Sequence, residues 1–215
     1  MRRRAALFRI ACLCAAGVAL AAPGWAVAQG AGDAGPEFTD DAALVAALRR
    51  GGYVLYLRHT ATDFSQPDAP GPDYADCSTQ RNLTDRGRAD ARAIAAALTA
   101  LRVPVGPVLA SPWCRTMETG RLAFGAATAS PAVRGGPAQA DAERYAELRA
   151  LLGTPVARGT NLAIASHGNP FRAVAGPPYL AEGETAVIEP LGGDRFRVVA
   201  RITVERWATF AAVGK

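Results

Sequence analysis

Apolar residues cluster along the chain in two rhythms. Residues 53–57 (YVLYL) form a short unbroken apolar run behind Gly51-Gly52 and predict a buried strand. Residues 162–166 (LAIAS) and 108–110 repeat the signal, and Pro107 is tolerable at a strand start. Helical spacing predicts a helix over 40–50, with Thr39 as its N-cap, Leu44, Val45 and Leu48 on one face and Gly51 as the stop. A second helix over 85–102 has Thr84 as its cap and Ile94, Leu98 and Leu101 at helical intervals. Further helices are expected over 113–124 and over 141–152, the latter turning Tyr145, Leu148 and Leu152 inward before Gly153. Pro170 suits the first turn of another, short helix. Strand-like runs at 185–189 and 196–204 flank a Gly192-Gly193-Asp194 turn. Strands that alternate with helices predict an α/β protein, a three-layer α/β/α sandwich on a mostly parallel sheet. The polar segment 60–82 predicts a long loop, a place where function often resides.

The N-terminus changes the picture of charge. Arg2, Arg3 and Arg4 precede an apolar run from Ile10 to about Ala22, and Ala26-Val27-Ala28 offers a small-x-small cleavage site. This is the order of an export signal, and the run is shorter than the ~20 residues of a membrane span. The expected organisation is therefore a signal peptide over 1–28, a flexible leader over 29–38 and one domain over 39–215. The alternative for the apolar run is a buried N-terminal helix. Losing 1–28 removes four arginines and no acid, so the formal charge falls from +5 to +1. A near-neutral mature protein gives no bulk attraction to nucleic acid or to a membrane surface. Neither a nucleic-acid partner nor stable membrane insertion is expected. Cys12 and Cys14 leave with the signal. Cys77 and Cys114 remain, either as a disulfide in an oxidising compartment or as two unpaired core residues. Export predicts a periplasmic or secreted location.

Candidate chemistry gathers at strand ends. The chain has two histidines, and each stands just past a predicted buried strand: His59 after YVLYLR and His167 after LAIAS. The strand ending VLA runs into Ser111-Pro112-Trp113-Cys114-Arg115. Ligands of open α/β sheets bind at the carboxyl ends of strands, so Arg58, His59, Arg115 and His167 are expected to converge. Two guanidinium forks match the oxygens of a phosphate and offset its charge. The same cations disfavour protonation of a neighbouring imidazole, which keeps it nucleophilic. Two histidines could also hold a metal, but no carboxylate or third histidine stands at ligand spacing. No cofactor and no metal are expected.

These motifs resemble those of the histidine phosphatase superfamily, which includes phosphoglycerate mutases and acid phosphatases. LRHTATDFS is similar to the Arg-His-Gly signature strand, and Leu83-Thr84-Asp85-Arg86-Gly87 to the Leu-Thr-x-x-Gly helix start. ASPWCRTMETG resembles the Ser-Pro-x-x-Arg-x-x-x-Thr motif through Ser111, Arg115 and Thr119, and ASHGN resembles the second histidine motif. The motifs occur in family order over about 53–207. The resemblance implies a phosphoglycerate mutase-like fold and a metal-independent phosphomonoester hydrolase. His59 would carry a phosphohistidine, and Arg58, Arg115 and His167 would complete the phosphate pocket. Thr62 would stand at a position that contacts substrate. The implied partner is a small-molecule or envelope phosphomonoester. The alternative is a non-catalytic phosphate-binding or sensing domain of the same fold.

Two departures bear on activity. Thr60 stands where the signature has glycine, and a β-branched residue resists backbone shapes open to glycine. The family's general acid has no clear counterpart, because Gly168 and not Asp follows His167. Glu184, just before the strand at 185, is the favoured candidate. Asp63, Glu118, Glu143, Glu147 and Glu182 are the others.

Overall fold

A computed structural model of the protein describes residues 38, 40–71, 73–134 and 145–213. The expected signal and most of the leader, Thr39, Glu143 and the start of the helix expected over 141–152 lie outside the described residues.

Among the described residues six α-helices and six strands follow one another as α1 (Asp41–Arg50), β1 (Val54–Arg58), α2 (Asp85–Ala100), β2 (Val105–Ala110), α3 (Cys114–Phe124), β3 (Thr128–Ala129), α4 (Ala146–Gly153), β4 (Asn161–Ser166), α5 (Gly168–Ala175), β5 (Thr185–Pro190), β6 (Phe196–Ile202) and α6 (Val204–Val213). One sheet holds all six strands in the order β3-β2-β4-β1-β5-β6. The pairs β3–β2, β2–β4 and β4–β1 are parallel, whereas β5 and β6 join antiparallel. The sheet is mostly parallel, as expected from the sequence.

Strand β1 is buried on both faces. Leu55 and Leu57 pack into a core with Leu44, Ile94, Leu98 and Trp207, carried by α1, α2 and α6. Val54 and Tyr56 point the opposite way, toward Leu148, Leu152 and Phe171 of α4 and α5. The period-2 alternation of a strand thus serves two separate cores, which is why YVLYL reads as an unbroken apolar run. This arrangement is the three-layer α/β/α sandwich.

Local chemistry ends the elements. Asp40, with its side chain accepting from Ala42 N, caps α1 one residue later than expected. The Thr84 hydroxyl accepts from Gly87 N at the start of α2. Gly87 is needed there, because a Cβ would overlap the backbone of Ala61 in the loop after β1. The run expected as one strand over 196–204 ends at Ile202. Thr203 then opens α6, accepting at its side chain from Arg206 N and at its carbonyl from Trp207 N.

Candidate active site

The parallel strands β2, β4 and β1 are neighbours, and their carboxyl ends lie at one edge of the sheet. Pairing extends one residue beyond β1 and β2, onto β4. His59 N donates to Ser166 O at 2.9 Å, and Ser111 N donates to Ala165 O at 3.0 Å. The backbone therefore holds His59, Ser111 and His167 in register before any side chain acts. Arg58, His59, Arg115 and His167 do converge, around a pocket of about 310 Å³.

The nucleophile candidate is locked. His59 is 2% exposed, and its Nδ1 lies 3.0 Å from the carbonyl oxygen of Thr60. A carbonyl only accepts, so Nδ1 carries the proton and Nε2 keeps its lone pair. Burial pushes the imidazole pKa down to about 3, and Arg115, Arg58 and Arg81 push the same way against the Thr60 carbonyl. His59 is therefore neutral near pH 7. The second ring, His167, lies 5.4 Å away between centroids and is also held well below the usual histidine range, by burial first and then by His59 and Arg115. Its Nε2 is 2.9 Å from the Ser111 hydroxyl, and its carbonyl accepts from Tyr56 at 2.8 Å.

Both arginines are anchored at one end. Arg58 Nη1 donates to Leu180 O at 2.7 Å, and Nη2 lies 3.5 Å from Glu182 Oε1. Arg115 Nη1 donates to Asp68 at 2.8 Å and to Arg81 O at 3.3 Å. The Nε of each is buried without a hydrogen-bond partner. A buried N–H with no acceptor is costly unless a ligand supplies one. Two such donors, flanked by a neutral histidine, suit a tetrahedral oxyanion.

Thr60 is accommodated. Among the described residues Arg102 is the only non-glycine residue with positive φ, so Thr60 adopts no glycine-only shape. Its N and Oγ1 meet the Thr119 hydroxyl at 3.3 and 3.4 Å, and Thr119 also donates to Arg115 O. The final threonine of the Ser-Pro motif thus ties the two arginine-bearing segments together.

Two of the expected site residues lie outside the pocket lining. Glu184 does reach this edge of the sheet, but its carboxylate pairs with Arg201 at 2.8 Å and accepts from Ala181 N, so it does not enter the pocket. Thr62 does not line the pocket either, because its hydroxyl donates to Glu182 at 2.7 Å. Glu182, with Oε1 3.7 Å from His59 Nδ1, is the carboxylate beside the histidine. Of the other candidates, Asp63 bonds Ser65, Glu118 pairs with Arg88, and Glu147 is exposed on α4.

Pocket residues that the sequence did not single out are Asp68, Arg81, Trp113, Asn169 and Tyr179. Three aromatic rings cover the three arginines: Tyr179 over Arg58 at 5.1 Å, Phe64 over Arg81 at 4.3 Å and Trp113 over Arg115 at 4.3 Å. Cys77 and Cys114 form a disulfide with Cα atoms 5.7 Å apart. It ties the loop that carries Asp68 and Arg81 to the start of α3. Among the described residues no group of three or more His, Cys, Asp or Glu could hold a metal ion, and no helix is long and apolar enough to cross a membrane.

The fold is phosphoglycerate mutase-like, an α/β arrangement shared with a solved histidine phosphatase. Among solved structures the chain is similar to the protein histidine phosphatase SixA complexed with tungstate, at TM-score 0.50 and 21% identity, covering 71% of this chain and 97% of that one. It is also similar to the putative phosphohistidine phosphatase SixA from Agrobacterium tumefaciens, at TM-score 0.49 and 20% identity, covering 71% and 98%. No protein-family model and no curated protein matches the chain.

Proposed function

We propose that the protein is a metal-independent phosphatase that hydrolyses phosphomonoesters through a phosphohistidine on His59. One observation carries this reading: a neutral, buried imidazole, its Nδ1–H tied to the Thr60 carbonyl, shares a pocket with two arginines whose Nε donors lack partners. Arg58 and Arg115 bind the phosphoryl oxygens, and Arg81 adds a third positive charge. Nε2 of His59 attacks phosphorus in line with the ester oxygen. Positive charge that develops on the ring is offset by the Thr60 carbonyl and by Glu182, 3.7 Å from Nδ1. His167, whose Nε2 lies 2.9 Å from the Ser111 hydroxyl, lines the same pocket and supplies a further hydrogen bond to the phosphoryl group. Water then attacks the phosphohistidine and releases phosphate.

We also read the protein as exported, to the periplasm or outside the cell, with 1–28 as the signal, 29–38 as a leader and 39–215 as the domain. The basic start, the apolar run and the Ala-Val-Ala site support this, and a cysteine pair that bridges fits an oxidising compartment. The substrate class is a small-molecule or envelope phosphomonoester.

The test is hydrolysis of p-nitrophenyl phosphate, with chelator present, by the mature protein and by His59→Ala. Turnover lost in the variant, together with an acid-labile phosphoprotein in the wild type, is the expected result. Tungstate, the oxyanion in the solved relative, should inhibit. Tungstate binding without turnover on any phosphomonoester would move the protein to the phosphate-binding class.

A further inference from the structure

In-line attack by Nε2 of His59 places the leaving oxygen on the far side of phosphorus, so a proton donor has to face the pocket from there. Glu182 is on the wrong side, because it lies against Nδ1 behind the nucleophile. Glu184 and Glu118 are held by Arg201 and Arg88. The site directly after the second histidine is closed: a Cβ at Gly168 would run into the Tyr179 ring, whose hydroxyl is in turn held by Asn169 at 2.6 Å.

Asp68 is the one carboxylate among the residues that line the pocket. Both of its hydrogen bonds, from Arg115 Nη1 and from Arg81 N at 2.8 Å each, go to Oδ1. Oδ2 is left for a ligand, and the side chain is 28% exposed, open enough to exchange a proton with water. In the resting protein Arg115 keeps this carboxylate paired. An arriving phosphate dianion shares Arg115 and comes to lie beside the free Oδ2 of Asp68.

We propose that Asp68 is the general acid and base of this site, a role that rests on the phosphatase reading above. In the first half-reaction the His59 Nε2–phosphorus bond forms and the phosphorus–oxygen ester bond breaks. The proton of the Asp68 carboxyl passes to the leaving oxygen, which departs as the alcohol. In the second, Asp68 takes a proton from water as its oxygen bonds phosphorus, the phosphorus–nitrogen bond breaks, and His59 is restored as phosphate leaves. The disulfide-tied loop thus supplies an acid that neither the Ser-Pro segment nor the position after His167 provides.

The experiment compares Asp68→Asn with wild type on two substrates, glycerol 2-phosphate and p-nitrophenyl phosphate. An alkoxide is a poor leaving group and needs the proton, whereas p-nitrophenolate does not. For a group worth about 10²–10⁴ in rate, kcat/KM should fall at least a hundredfold on glycerol 2-phosphate and less than tenfold on p-nitrophenyl phosphate. Tungstate inhibition within a fewfold of wild type would show that the pocket still binds its oxyanion. Equal losses on both substrates, or no loss on either, would overturn the role and leave Asp68 as a partner of Arg115. A wild type that turns over neither substrate, with His59→Ala no different, would overturn the phosphatase reading itself.

Discussion

The Nδ1 of His59 and the carbonyl oxygen of Thr60 lie 3.0 Å apart, so the residue next to the nucleophile assigns its tautomer through backbone alone. The identity of the Thr60 side chain is therefore free to vary as long as the carbonyl keeps its direction. Here the side chain is fully buried and meets Thr119.

Replacing Thr60 by glycine should separate stability from chemistry. The variant loses a buried side chain, and glycine adds backbone freedom to the unfolded chain, for a cost of about 1–3 kcal/mol. The carbonyl remains, so kcat should stay within a fewfold of wild type. Urea unfolding and steady-state kinetics on one preparation check both halves.

Acid should weaken the fold through its histidines. Burial lowers the His59 pKa from 6.5 to about 3, and His167 is lowered too. The unfolded chain binds a proton on each ring below pH 6.5 and the native state does not. Stability from this source is thus full above pH 6.5 and declines as pH falls toward 3, by up to about 1.4 kcal/mol per pH unit for each histidine. Carboxylates titrate over part of the same range, so the diagnostic is a difference. The Tm of His59→Gln should drop less than that of wild type between pH 6.5 and 4.5. Parallel curves would show that His59 is not held neutral.

Much of this site could be read from the chain, for a physical reason. A strand buried on both faces writes itself as a short apolar run, and the residue after it is delivered to the sheet edge. His59, Ser111 and His167 are all such residues, Arg58 is the last residue of β1 itself, and Arg115 follows in the first turn of α3. Asp68 and Arg81 are placed by loop contacts across the chain, such as Arg81 N to Asp68 and Arg115 to both, and these have no local pattern. Glu184 is placed just before a strand, and a strand-start position fixes where a backbone lies and not which partner, here Arg201, holds the side chain. Helix α6 did carry a signal: Thr203 as a cap, Glu205 in the first turn, and Val204, Trp207 and Phe210 at helical spacing. The apolar run of β6 leads straight into that pattern and masked it.

The two neighbouring glutamates should now behave differently. Glu182→Gln removes the charge beside Nδ1 of His59 and Nη2 of Arg58, and should lower kcat about tenfold or more. Glu184→Gln breaks a largely buried pair with Arg201 and should cost about 1–3 kcal/mol of stability while leaving kcat within twofold. The reverse pattern in kinetics would return Glu184 to the reaction.

The disulfide should matter to binding more than to the chemical step. It spans a sequence separation of 37 residues, and Cys114 N also donates to Gln80 Oε1 at 2.9 Å, so one junction holds Arg81 near Arg115. Closing a loop of this size contributes about 2–4 kcal/mol. His59, His167 and Arg58, by contrast, are carried by β1 and β4 and by the backbone pairing past their ends, which the bridge does not touch. Replacing both cysteines by serine should therefore lower Tm and raise KM for p-nitrophenyl phosphate severalfold as the arginine loop loosens, while kcat changes little. Dithiothreitol should shift wild type in the same direction and leave the double variant unmoved. A kcat loss as large as the KM gain would mean that loosening the loop also displaces Asp68, whose role as base acts on the phosphohistidine common to every substrate.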